Sequence, residues 1–131
     1  MKQIWLVLSL VLLTASVNAQ ENKKAASDLE AMPDKLVVLT FDDSVKSHYT
    51  VARPILKQYG FGATFFITEG FTFTTNKNDY MTWDQIAELH RAGFEIGNHT
   101  RDHKGVNSNN IDQLEEQLAG IDARCSEYGI P

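Results

Sequence analysis

The feature that most limits how this chain can fold is a recurring stop signal: Tyr59-Gly60-Phe61, Ala92-Gly93-Phe94 and Tyr128-Gly129-Ile130, with glycines 33 and 36 residues apart. Each closes a stretch of helical periodicity, at the place where a left-handed residue lets the chain leave the last turn. Short apolar runs that read as strands lie before and between the helices: Leu36 to Phe41, Ala63 to Ile67 and Phe94 to Asn98. A period of this size also occurs in helical solenoids, but buried strands alternating with helices favour successive β/α units. Right-handed crossovers would set those strands parallel. The expected fold class is α/β, with successive parallel β/α units forming the first part of a (β/α) barrel. A closed barrel of this kind takes about 250 residues, and the chain has 131. The next strand should begin just where the sequence reaches Pro131, so the domain is expected to be truncated.

Leu36 to Phe41 is continuously apolar and β-branched in its middle, the pattern of a strand buried on both faces. After Asp43 the period changes. Val51, Ile55, Leu56 and Tyr59 fall on one helical stripe, with Pro54 predicting a helix start near Arg53 or a kink there. A loop from Glu69 to Tyr80 is long enough to reach over a strand end. Thr82 with Gln85 predicts a capping box, opening a helix whose apolar residues are Trp83, Ile86, Ala87 and Leu89. The polar stretch Arg101 to Asn110 then leads into a helix with Ile111, Leu114, Leu118, Ile121, Cys125 and Tyr128 on one side.

The amino terminus stands apart from this pattern. Lys2, the apolar run Ile4 to Leu13 and Val17-Asn18-Ala19 before Gln20 predict a secretory signal peptide over residues 1–19. About ten apolar residues are too few to span a bilayer, which takes roughly 20. A secreted or periplasmic protein is expected, with no stable membrane span once the signal is cleaved. Residues 20–34 read as a polar linker, and 35–131 as the domain. The whole chain has 12 basic and 17 acidic residues and a net charge of −5, which disfavours nucleic acid as a partner. The single cysteine, Cys125, reads as a buried structural thiol.

Chemistry gathers at the carboxyl ends of parallel strands, where the loops converge on one face. Asp42 and Asp43 end the first strand and His99 the third. Adjacent carboxylates at a strand end point in different directions, so one can bind a cation while the other faces what the cation binds. His99 and His103, four apart, can converge on one ion if the residues between them make a helical turn. With one carboxylate they form a two-His, one-carboxylate set that leaves positions open for water and substrate. His48, near a helix start, and His90, beside Glu88 and Arg91, read as surface residues.

Thr40-Phe41-Asp42-Asp43 and His99-Thr100-Arg101-Asp102-His103 resemble the first two motifs of the polysaccharide deacetylases, the nodulation-type chitooligosaccharide deacetylase group of carbohydrate esterase family four. Ser44 stands where that family usually has glycine, a departure that touches the local turn. The resemblance runs from about Leu36 to the end, roughly the first half of the family's domain, and implies a distorted (β/α) barrel. It implies further that Asp43, His99 and His103 hold a divalent metal, usually zinc, with cobalt or manganese as alternatives, and that Asp42 is the general base. The implied activity is metal-dependent hydrolysis of a carbon–nitrogen bond other than a peptide bond, releasing acetate from an acetylated glycan. The family's later motifs are expected beyond Pro131.

Two other readings compete with this one. An acidic pair after the first strand also suits phosphoryl transfer, but receiver domains need an aspartate where this chain has Asn98-His99. A non-catalytic carbohydrate- or metal-binding remnant is the stronger alternative, with Tyr80 and Trp83 able to stack on a glycan or, more simply, to pack in the core.

Overall fold

The structure, a computed structural model, describes residues 34–131. The expected signal peptide, residues 1–19, and all of the expected linker but Asp34 lie outside them. Val38–Pro131 form one compact unit, built on a parallel sheet of three strands in the order β1 (Thr40–Phe41), β2 (Thr64–Ile67), β3 (Glu95–Asn98). Thr40 pairs with Thr64 and Phe41 with Phe65. Thr64 to Ile67 then pair in register with Glu95 to Asn98. The α/β class and the parallel arrangement are as the alternation of periods requires.

The first strand is shorter and wetter than its sequence suggests. Val37 and Val38 are 75% and 72% exposed, and Leu36 is exposed as well. Among the described residues β1 has only β2 beside it. A continuously apolar run is buried on both faces only where other elements cover both, and here the pairing stops at two residues.

The first helix differs too. It begins as a π-helical turn, His48–Ala52, and continues as α1 (Arg53–Tyr59), with Pro54 at the junction, where its missing N–H interrupts the ladder of bonds. Val51, Ile55 and Leu56 still line one apolar groove together with Phe41, so the stripe carries through the turn but is left largely uncovered among the described residues. Leu56 is buried, whereas Val51, Ile55 and Tyr59 are exposed. Gly60 ends α1 at φ 69°, the left-handed conformation its position called for.

Helix α2 (Trp83–Arg91) opens with the expected capping box: Gln85 N–H donates to the Thr82 hydroxyl, and Thr82 N–H donates to the Gln85 side chain. Its buried residues are Trp83, Ile86, Ala87 and Leu89. A single 3-10 turn, Ile111–Gln113, leads into α3 (Leu114–Glu127). Of the apolar side predicted for this helix Ile121 is fully buried, Leu118 and Ile111 are exposed, and Cys125 and Tyr128 are half-buried against the core.

Phe65 on β2 stands at the centre of the core. Phe41 stacks on it at 5.0 Å, and Phe94 meets it edge-on at 5.4 Å. The Glu69 to Tyr80 loop folds back rather than hanging free, with Phe73 buried and Val45 bridging to Tyr80. Trp83 belongs to the core as well: it is 5% exposed, donates its indole N–H to Glu69 and stacks on Tyr128.

Candidate metal centre

The ends of β1 and β3 deliver the site. Asp43 follows β1 by one residue and has φ 71°, and Ser44 follows at 57°. His99 follows β3, its N–H donating to Ile67 O at 2.9 Å as a continuation of the ladder. His103 comes back to His99 without a helical turn. Thr100 at φ 63° and His103 at 53° bend the segment through two left-handed residues instead, which corrects the expectation of a shared helical face.

The ring nitrogens close on one point. His99 Nε2 lies 3.4 Å and His103 Nε2 3.0 Å from Asp43 Oδ1, and the two Nε2 atoms are 3.1 Å apart. Asp43 Oδ1 is buried and has no hydrogen-bond partner among the described residues. Corners of a tetrahedron with bonds of about 2.0–2.1 Å are about 3.3 Å apart, so these three atoms are spaced as ligands of one small cation. An orphaned carboxylate oxygen facing two imidazole nitrogens is a donor set that fits zinc or a similar divalent ion. Asp42, the other carboxylate, is exposed at the end of β1.

Strain concentrates around this point. Among the described residues, five of the six non-glycine residues with positive φ are Asp43, Ser44, Phe71, Thr100 and His103, and such residues collect at functional sites. Phe71 is 60% exposed, with its ring 4.6 Å from that of His103 and parallel to Tyr80 at 6.4 Å. Gly70 makes room for the histidine loop, because a Cβ there would stand 2.7 Å from His103 Cβ.

Helix α3 holds the other side of that loop. Gln117, 6% exposed, accepts from Asp102 N–H at 2.8 Å and donates to Asp102 Oδ2 at 2.9 Å, while Arg101 N–H donates to Gln117 O. Hydrogen bonds from Arg101 and then from Gln117 hold the Asp102 carboxyl down at about 2. Asn98 donates to Leu118 O and Asp122 and accepts from Thr100 N–H.

His48 is not the surface residue expected. Its ring is half-buried, tilted against Phe41 at 5.3 Å. Burial lowers its pKa, while the charges of Asp42 and Asp43 act in the opposite sense. Gln117, Gly70, Phe71 and Thr68 carry no motif and escape a reading by spacing. Thr68 alone had a signal, since it directly follows β2 as Asp42 and His99 follow their own strands.

The fold and this donor set define an α/β protein with a two-His, one-carboxylate cluster at the carboxyl ends of parallel strands. The chain belongs to the polysaccharide deacetylase family, whose sequence profile matches residues 30–127. It is 31% identical over 86 residues to a peptidoglycan-N-acetylglucosamine deacetylase of Bacillus cereus, a match covering 65% of this chain and 37% of that one. In structure it is similar to a Streptococcus pyogenes deacetylase in complex with acetate, with TM-score 0.53, 32% identity, and coverage of 76% of this chain and 49% of that one. A de-N-acetylase from Aggregatibacter actinomycetemcomitans gives TM-score 0.51 and 32% identity, covering 69% and 40%. The chain thus spans about a third to a half of the length of these relatives.

Proposed function

We propose that the chain supplies the metal centre of a hydrolase that removes acetyl groups, N-acetyl first among them, from a polysaccharide or oligosaccharide. The observation that carries this is the convergence of Asp43, His99 and His103 within ligand distance around an unpartnered carboxylate oxygen. The names of the relatives support the substrate class, since the Bacillus cereus protein acts on N-acetylglucosamine in peptidoglycan. A secreted or periplasmic location, where such glycans are found, accords with the signal peptide read over residues 1–19.

Asp43, His99 and His103 would hold the cation. A bound divalent ion would supply Lewis-acid polarisation and would lower the pKa of a water at the site into the neutral range. Asp42 is free to take the proton from the attacking water, because Asp43 is the carboxylate turned toward the histidines. The oxygen adds to the acetamide carbonyl carbon, the carbon–nitrogen bond breaks as the proton taken from the water passes to the departing nitrogen, and one water is consumed for each acetate and amine released. Phe71 offers an apolar face beside His103 for the sugar ring that carries the acetamide.

Elemental analysis of the purified protein should find about one zinc, cobalt or manganese ion per chain, lost in His103→Ala. Asp42→Asn should retain the ion while acetate release falls on the order of 10²–10⁴-fold. Substrates for that assay are N-acetylated chitooligosaccharides, peptidoglycan and O-acetylated xylan. Equal metal content in the wild type and His103→Ala would remove the site, and acetate release from none of the three would remove the deacetylase reading.

A further inference from the structure

Two hydroxyls with no solvent exposure lie behind the cluster. Ser44 and Thr68 are each 0% exposed, although neither is a residue type that packs well for its own sake. The Ser44 hydroxyl donates to Thr68 O at 2.8 Å and accepts from Thr68 N–H at 3.0 Å. One hydroxyl thus satisfies both backbone groups of the residue that leaves β2. The Thr68 hydroxyl in turn donates to Arg101 O at 3.0 Å and accepts from Gly70 N–H at 3.0 Å. Glu69 N–H reaches the same Arg101 oxygen at 2.9 Å, and Met81 N–H donates to Ser44 O at 2.9 Å.

These bonds make one continuous path. It starts at the residue after Asp43, crosses the end of β2 and ends on the carbonyl midway between His99 and His103. The carboxylate and the two imidazoles come from strands that are not neighbours, β1 and β3, so their spacing depends on what joins them across β2. Ser44 is also left-handed, at φ 57°, a conformation that disfavours a side chain other than glycine's. Its bonds to Thr68 hold it there, and with it the turn that aims Asp43.

We propose that Ser44 and Thr68 form a buried hydroxyl strut that sets the distance of Asp43 from His99 and His103, and that they are positioning residues for cation binding. This rests on the metal reading above for its functional consequence and on geometry alone for its existence. Polar partners behind metal ligands commonly change affinity by about 10–100-fold when removed. Thr68→Val keeps the shape of the side chain and leaves Arg101 O its bond from Glu69. Ser44→Gly removes the hydroxyl and also the left-handed strain, whereas Ser44→Ala removes the hydroxyl alone.

The test uses the full chain and two readouts. Zinc affinity, measured by competition with a chromophoric chelator, should fall about tenfold in Thr68→Val and in Ser44→Ala, and less in Ser44→Gly. The Ser44→Ala/Thr68→Val double variant should lose no more than the worse single one, because both hydroxyls act through one path. In the metal-free protein, amide hydrogen exchange across His99 to Lys104 should quicken in Ser44→Gly and Ser44→Ala, far along the chain from the substitution. Should Ser44→Ala not fold, Ser44→Gly and Thr68→Val carry both readouts. Unchanged zinc affinity in folded variants, or multiplied losses in the double variant, would overturn the strut. A wild-type protein that binds none of zinc, cobalt and manganese would instead overturn the metal reading, and the exchange rates would still decide whether the strut exists.

Discussion

At the scale of single residues, what matters most here is how far a side chain's surroundings depart from what its neighbours in sequence imply. Cys125 is half-buried on α3, and burial, helped by the charge of Asp122, pushes its thiol pKa up. The thiolate is the reactive form. At pH 8 alkylation by iodoacetamide should therefore run several-fold slower in the folded protein than with a free thiol of ordinary pKa, roughly 8.5, and the difference should vanish in denaturant. Equal rates in both states would show that the thiol is open to solvent. The sense of the shift also means that folding favours the neutral thiol. Its contribution to stability is complete below the free thiol's titration and declines as pH rises through the folded value. The left-handed residues show the opposite case. At Thr100 the local bond from its N–H to the Asn98 side chain, two residues back, is the one signal the sequence carries, whereas the bonds that hold Arg101 and Asp102 ahead of His103 come from Thr68 and Gln117 through the tertiary fold.

At the scale of elements, legibility follows the distance over which each pattern is satisfied. The capping box of α2 was readable because Thr82 and Gln85 satisfy one another within a single turn. Replacing an N-cap threonine by alanine typically removes about 1 kcal/mol. Thr82→Ala should lower the thermal midpoint by roughly 4–8 °C on the scale of a domain this size, with circular dichroism at the native temperature unchanged. A midpoint within 1 °C or so of wild type, well inside the roughly 4 °C minimum, would show that the cap is redundant with the packing of Trp83. The three strands and their parallel order were also legible, since short apolar runs alternating with helices allow few arrangements. The burial of Leu36 to Val38 and of the α1 stripe was not. An apolar pattern states what a face can be covered by, and whether anything covers it depends on residues elsewhere. The two motifs, Thr40 to Asp43 and His99 to His103, told which residues meet. How they meet, through left-handed turns and the Ser44–Thr68 pair, lies in contacts that no local spacing encodes.

At the scale of the molecule, the candidate centre joins parts of the chain that the sheet alone holds only at a distance. Asp43 and His99 are 56 positions apart, on strands separated by β2. A cation shared between them would tie the first and third β/α units together at the carboxyl ends of the strands. Because the unfolded chain does not present the three donors at ligand spacing, binding would favour the folded state by mass action, about 2.7 kcal/mol at a free concentration one hundred times the dissociation constant. For a domain of this size each kcal/mol moves the midpoint by roughly 4–8 °C, so saturating zinc should raise it by roughly 10–20 °C. Scanning calorimetry with and without zinc measures this directly. Addition of a chelator should return the midpoint to its metal-free value. His103→Ala, with one donor gone, should show little or no rise at the same zinc concentration. A rise of the same size in that variant would mean that zinc stabilises the fold from somewhere other than Asp43, His99 and His103. The whole-molecule response and the local geometry would then have to be explained separately.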